Sequence, residues 1–183
     1  MGSENPVGAE NQQERLIRLG WVQGFVDGEG CFSIGFVRQP HRPGRAGYRT
    51  GFQVAHEFAV VQGERSTTCL EELQSFFGVG QVLINRRHDN HREHLQRYVV
   101  RKRSDLLREI IPFFEAYPLR SAKRIDLHRF ALCVRSIDRG HHLTREGLVD
   151  IVRIAETMNR RKPRPDLIRI LRGHTPEVRA TGS

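Results

Sequence analysis

Glycine recurs at positions 20, 24 and 28, inside a segment whose apolar residues otherwise keep helical spacing. Leu16, Leu19, Val22, Phe25 and Val26 fall at i, i+3 and i+4 intervals, the stripe of an amphipathic helix. Each glycine inside a helix costs about 1 kcal/mol relative to alanine. Glycines four apart share one face, so this helix carries a bare strip. Without Cβ atoms, a second backbone can approach closely along it. Gly20, Trp21, Gly24, Phe25 and Gly28 are therefore the expected lining of a tight helix crossing. The same segment, WVQGFVDGEG, ends in two carboxylates, Asp27 and Glu29. A crossing of two identical copies would bring two acidic ends together, and close carboxylates repel unless a cation lies between them.

Beyond Gly30 the apolar period changes from helical to alternating. CFSIGFVR (31–38) and TGFQVAHEFAVVQ (50–62) read as strands, separated by a basic loop. ERSTTCLEELQSFFGVG predicts an amphipathic helix with Leu70, Leu73, Phe76 and Phe77 inward, stopped at Gly78. Residues 79–87 and 94–102 form a predicted hairpin around HDNH. Val82, Ile84, Leu95 and Val99 are expected to face inward, with Arg86, Arg97, Arg101 and Arg103 outward. Ser104 and Asp105 open a helix that Pro118 breaks, Ser121 caps the next one, and Thr144 caps a last helix running through HHLTREGLVDIVRIAETMN. The order α-β-β-α-β-β-α-α-α makes an α+β fold, a four-stranded antiparallel sheet with helices on one face. The other face stays open for the arginines. Residues 1–12 and 173–183 read as disordered or extraneous ends around a single domain, 13–172.

The chain has 183 residues, 38% of them hydrophobic, enough for a real core. Its formal charge is +9, which makes nucleic acid the first candidate partner. Cys31, Cys69 and Cys133 are far apart and form no CxxC pair, so neither a disulfide framework nor a zinc site is expected. No apolar run approaches the roughly 20 residues of a membrane span. The polar opening MGSENPVGAENQQER lacks an apolar h-region, so the expected location is cytoplasmic (bacterial or archaeal) or organellar, not secreted. His88, His91 and His94 have a metal-like spacing but are read as a polar hairpin tip. Phe113 and Phe114 are read as core.

VQGFVDGEG (22–30) resembles the signature of the LAGLIDADG homing endonucleases, with Gly24, Asp27, Glu29 and Gly30 in their places. FAVVQ (58–62), the LEELQSFFGVG helix and the IIPFFEAYPLRSAKR passage extend the similarity over residues 14 to 160. The resemblance implies an αββαββα unit with extra C-terminal helices, whose signature helix forms a subunit interface. It implies that Glu29 and the Gly28 carbonyl hold a catalytic metal, while Asp27 supports the helix end. Mg²⁺ is the implied metal, Mn²⁺ a substitute, and Ca²⁺ an ion that binds without supporting cleavage. Gln62 matches the residue that orients attacking water. Lys123, with Arg120 as second choice, matches the basic residue that polarises the scissile phosphate. Glu29 replaces the aspartate of the eponymous motif and keeps the carboxylate.

One signature is present, so the expected assembly is a C2 homodimer on a long pseudo-palindromic DNA duplex. Arg38, Arg42, Arg45, Arg49, Gln53, His56, Arg86, Arg87, Arg97 and Arg101 are the expected DNA-binding residues, divided between base edges and phosphates. Glu57 has no assigned place on that basic face. The alternatives are an RNA-binding intron maturase, with intron RNA as partner, and a non-cleaving DNA-binding relative. No membrane partner is expected.

Overall fold

The computed structural model describes residues 6–39, 50–85, 94–159 and 163–173. Helix α1 spans Pro6–Glu29, followed by strands β1 (Gly30–Arg38) and β2 (Phe52–Gly63). Helix α2 (Thr67–Phe77) leads to β3 (Gln81–Asn85) and β4 (Leu95–Val100). The sheet order is β1-β2-β4-β3, with β4 antiparallel to both neighbours. Helix α3 comprises Arg103–Asp105, one wide π turn over Leu106–Ile110, and Ile111–Ala116. Pro112 has no N–H to give the helical ladder, and the widened turn lies just before it. Three helices follow, α4 (Lys123–Asp138), α5 (Arg145–Glu156) and α6 (Pro165–Gly173).

The chain divides into two compact units, residues 1–32 with 57–128 and residues 33–56 with 129–183. The first has an aromatic core. Phe58 stacks on Phe32 at 5.0 Å between centroids and meets Phe114 and Tyr98 edge-on at 5.9 and 6.1 Å. Tyr98 is fully buried, and its hydroxyl donates to the Val79 carbonyl at 2.8 Å, so burial leaves no polar atom stranded. Gly78 ends α2 in the left-handed conformation, its N–H donating to the Gln74 carbonyl at 2.9 Å.

The second unit is built around Phe130, Cys133, Val134, Leu148, Ile151 and Val152, all buried. Burial pushes the Cys133 thiol up to about 12, so it behaves as a small apolar side chain. The Thr144 hydroxyl accepts from the Gly147 N–H at 3.1 Å and caps α5 as expected. The Arg164 guanidinium lies over the Phe36 ring and donates to the Ile34 carbonyl at 3.3 Å.

Several expectations need correction. Register places Val61 opposite Arg97 and Ala59 opposite Val99, so Val99 and Leu95 share a row with Arg97. Gln96, Tyr98 and Val100 form the other row of β4 and are all buried; Val99 is buried as expected, although its row is that of Arg97 and its partner Ala59 is buried with it. Side chains alternate with a period of two, and residues 97 and 99 cannot lie on opposite faces. Ile84 is 61% exposed, because β3 is an edge strand. Leu16 is 57% exposed, and the buried contacts of α1 come from Val22 and Val26. Helix α1 begins at Pro6, inside the segment read as disordered, and α6 was not expected at all. Arg103 starts α3 rather than extending β4. No described helix is long and apolar enough to cross a membrane.

Candidate active site and nucleic-acid face

Helix α1 delivers its signature residues to the start of β1 without a connecting loop. Gly30 makes that possible. A Cβ there would lie 2.6 Å from both the Val26 carbonyl oxygen and a Val26 methyl carbon. Only glycine lets the chain turn into the strand against the last helical turn.

Asp27 is fastened to the entry of α4. Its carboxylate accepts from the Arg120 N–H at 3.0 Å, from the Ser121 N–H at 3.1 Å, and from the Ser121 hydroxyl at 2.6 Å. Burial raises the carboxyl pKa, but the Ser121 hydroxyl and N–H, the Arg120 N–H and the Lys123 charge outweigh it. The net position is below the ordinary value of 3.8. A depressed carboxylate contributes stability above its unfolded pKa and loses it as pH falls through the folded one. Asp27→Ala is therefore expected to lower stability by about 1–2 kcal/mol at pH 7. The difference from wild type should shrink below pH 4, read by urea unfolding at both pH values; an equal deficit at pH 3 would contradict this role.

The Lys123 ammonium donates to the Asp27 carbonyl at 2.8 Å and also to the Gly28 carbonyl. These carbonyls end a helix, where backbone acceptors lack intrahelical partners and the dipole is negative. Gln23 anchors the same junction by donating to the Pro118 carbonyl at 2.5 Å. Glu29 is exposed, and no other described residue engages it by hydrogen bond or ion pair. Strands β1 and β2 are consecutive and adjacent, with the Gln39 N–H donating to the Gly51 carbonyl at 2.9 Å near their hairpin end. The start of β1 therefore lies beside the end of β2, where half-buried Gln62 faces Gln96 across the ladder. The fold thus gathers Gly28, Glu29, Gln62 and Lys123 at one end of the sheet. Arg120 takes part through its main chain, its N–H being held by Asp27. No group of three or more His, Cys, Asp or Glu side chains suited to a metal occurs among the described residues.

The glycine strip of α1 is open. A Cβ at Gly20, Gly24 or Gly28 would meet nothing within 4 Å. Trp21 stacks on Phe25 at 5.2 Å beside it, and both are only partly buried.

On the sheet's open row, Gln53 is exposed and accepts from the Gln39 side-chain amide at 2.9 Å. Arg97 and Arg101 both pair with Glu57, Arg101 through Nε at 2.6 Å. His56 alternates onto the row of Val54, opposite to Gln53, which removes it from the open face. Arg38 has the parity of Phe32 and Ile34 but ends its strand and is exposed. Arg42, Arg45, Arg49, Arg86 and Arg87, with His88 and His91, lie outside the described residues. Glu57 and Ser121 are the contributors that sequence reasoning missed in these roles. The sequence marks the serine only as a helix cap, and nothing local marks the glutamate's partners.

The LAGLIDADG endonuclease family model matches residues 22–134. A protein in ND4 intron 1 of Podospora anserina is 34% identical over 127 residues, 68% of this chain and 25% of its own length. The chain thus spans about a quarter of that relative. Among solved structures, the homing endonuclease I-TnaI is 38% identical with a TM-score of 0.68, covering 85% of this chain and 96% of its own. I-SmaMI, bound to uncleaved target DNA in the presence of calcium ions, is 27% identical with a TM-score of 0.69, covering 81% and 47%. With the family model spanning most of the fold and its signature forming the α1–β1 junction, the chain belongs to the LAGLIDADG endonuclease family.

Proposed function

We propose that this protein is a homodimeric, metal-dependent homing endonuclease that makes a double-strand break in a long pseudo-palindromic DNA target. The observation that carries the reading is the junction at Asp27-Gly28-Glu29. It combines an exposed carboxylate that no other described residue engages, helix-end carbonyls and a lysine at one point beside an open glycine strip. One signature lies in these 183 residues, which match nearly the whole of I-TnaI but about half of I-SmaMI; this supports the pairing of two such units in the enzyme.

The donor set fits a hard cation. The Gly28 carbonyl accepts a hydrogen bond from the Lys123 ammonium, which shows an oxygen turned toward positive charge, and Glu29 supplies a carboxylate next to it. Mg²⁺ is the proposed ion, and when bound it would activate water and neutralise charge on the phosphate. Lys123 is the residue proposed to stabilise charge on the phosphate oxygens, and its reach to the helix end keeps it at the reacting centre. Gln62 holds and orients water through its amide. Asp27 locks α1 to α4, so that Lys123 and Glu29 keep their spacing. The basic sheet row and loops bring phosphates and base edges into register.

Binding to duplex DNA and to structured RNA, titrated against salt with and without Mg²⁺, tests the substrate class. Tight duplex binding with a steep salt dependence is the expected result. Preference for structured RNA would overturn it in favour of a maturase.

A further inference from the structure

Glu57 is the acidic side chain at the centre of the sheet's open row, and it is committed to two cations. One carboxylate oxygen accepts from Arg97 Nη2, the other from Arg101 Nε at 2.6 Å. The β2–β4 register explains how. Phe58 faces Val100, which sets Glu57 opposite Arg101, and Arg97 lies two same-face steps back along β4, beyond Val99 and within reach of its own long side chain. The exposures are graded: 18% for the Glu57 side chain, 30% for Arg97 and 57% for Arg101. The carboxylate is thus shielded beneath the guanidinium groups rather than presented to solvent.

Geometry then decides what Arg101 has left to offer. With Nε held by the carboxylate, its Nη1 and Nη2 remain as donors, and the exposed end of the side chain carries them. Two parallel donors match the O6 and N7 acceptors of guanine in the major groove. An unbraced arginine of that exposure would sample many rotamers and serve any phosphate, without sequence preference. A carboxylate that only lowered the charge of the face would need no shared contact with two arginines.

We propose that Glu57 is a specificity-determining positioning residue, which braces Arg97 and Arg101 so that Arg101 reads one guanine in each half-site. The proposal rests on the endonuclease reading and assigns that reading a base preference. Glu57 itself need not touch DNA.

The test is binding selection from a randomised duplex library in Ca²⁺, with wild type, Arg101→Ala, Glu57→Gln and Glu57→Asp, each checked for an unchanged thermal transition. In wild type, one position per half-site should prefer guanine by roughly 5- to 100-fold, the range of a bidentate arginine–guanine pair. Arg101→Ala and Glu57→Gln should each flatten preference at that same position and leave the others intact. Glu57→Asp, which keeps the charge on a shorter stem, should retain part of it. Independently of DNA, the Arg101 Nε–H should exchange slowly with solvent in wild type and rapidly in Glu57→Gln. An unchanged guanine preference in Glu57→Gln overturns the proposal while leaving the endonuclease reading standing. Even weakening at every position overturns it too, because that is the signature of net charge alone. If wild type enriches no duplex, the endonuclease reading falls and this proposal with it.

Discussion

Glu29→Gln is expected to reduce DNA cleavage on the order of 10³-fold or more while leaving the protein folded, dimeric and bound to its target. Glutamine keeps the shape and removes the charge. Glu29 is exposed and engaged by no other described residue, so folding loses no contact. Duplex affinity should stay the same or rise slightly, since one negative charge per subunit leaves a surface that meets phosphate. The loss should fall on the rate of the chemical step, seen as single-turnover cleavage with saturating enzyme. A variant that cut at the wild-type rate would remove Glu29 from the reaction. Parallel loss of binding and cutting would mean that the carboxylate acts in assembly instead.

The second large effect separates folding from assembly. Gly24→Leu places a side chain where the isolated chain has open space, with nothing within 4 Å of the added Cβ. Within one subunit the change should be harmless or mildly stabilising, because leucine is the better helix former by close to 1 kcal/mol. At a crossing of two α1 helices it is an overpacking error made twice by symmetry. At about 1–3 kcal/mol each, the dimer constant should fall roughly 30- to 10⁴-fold. Analytical ultracentrifugation should then find monomers at micromolar concentration, with an undiminished thermal transition and no double-strand cleavage. A dimer that survived this change would place the interface elsewhere and leave the glycine strip unexplained.

The residues that proved legible in the sequence are those whose job is local. Gly78 and Thr144 terminate helices by bonds to residues three or four away, and they do so as expected. The Asp27-Gly28-Glu29 ending was visible because a motif concentrates it in a few positions. The choice of Lys123 found the residue that reaches that ending, although 94 residues separate Lys123 from Glu29 in the chain and the resemblance alone connected them. Glu57 was illegible because its role depends on which β4 residues lie across from it. That register is fixed between strands about forty residues apart, after the whole sheet has formed. Polarity suggests opposite faces for Arg97 and Val99, but strand alternation puts both on one row, where Val99 is buried and Arg97 is not. Helix α6 carried ordinary signals, with Pro165 at its first position, Asp166 in its first turn and Gly173 at its end. Arginine and proline crowd the same segment and mask its helical period. The Asp27–Ser121 lock required no unusual residue type, only the proximity that the folded chain supplies.

The most direct test is cleavage selection on a randomised duplex library, with wild type and Glu29→Gln compared in Mg²⁺ and in Ca²⁺. Recovered ends that share one pseudo-palindromic sequence, from wild type in Mg²⁺ alone, are the predicted result. Bound duplexes enriched without cut ends under any condition would contradict it and leave a DNA-binding protein that does not cleave.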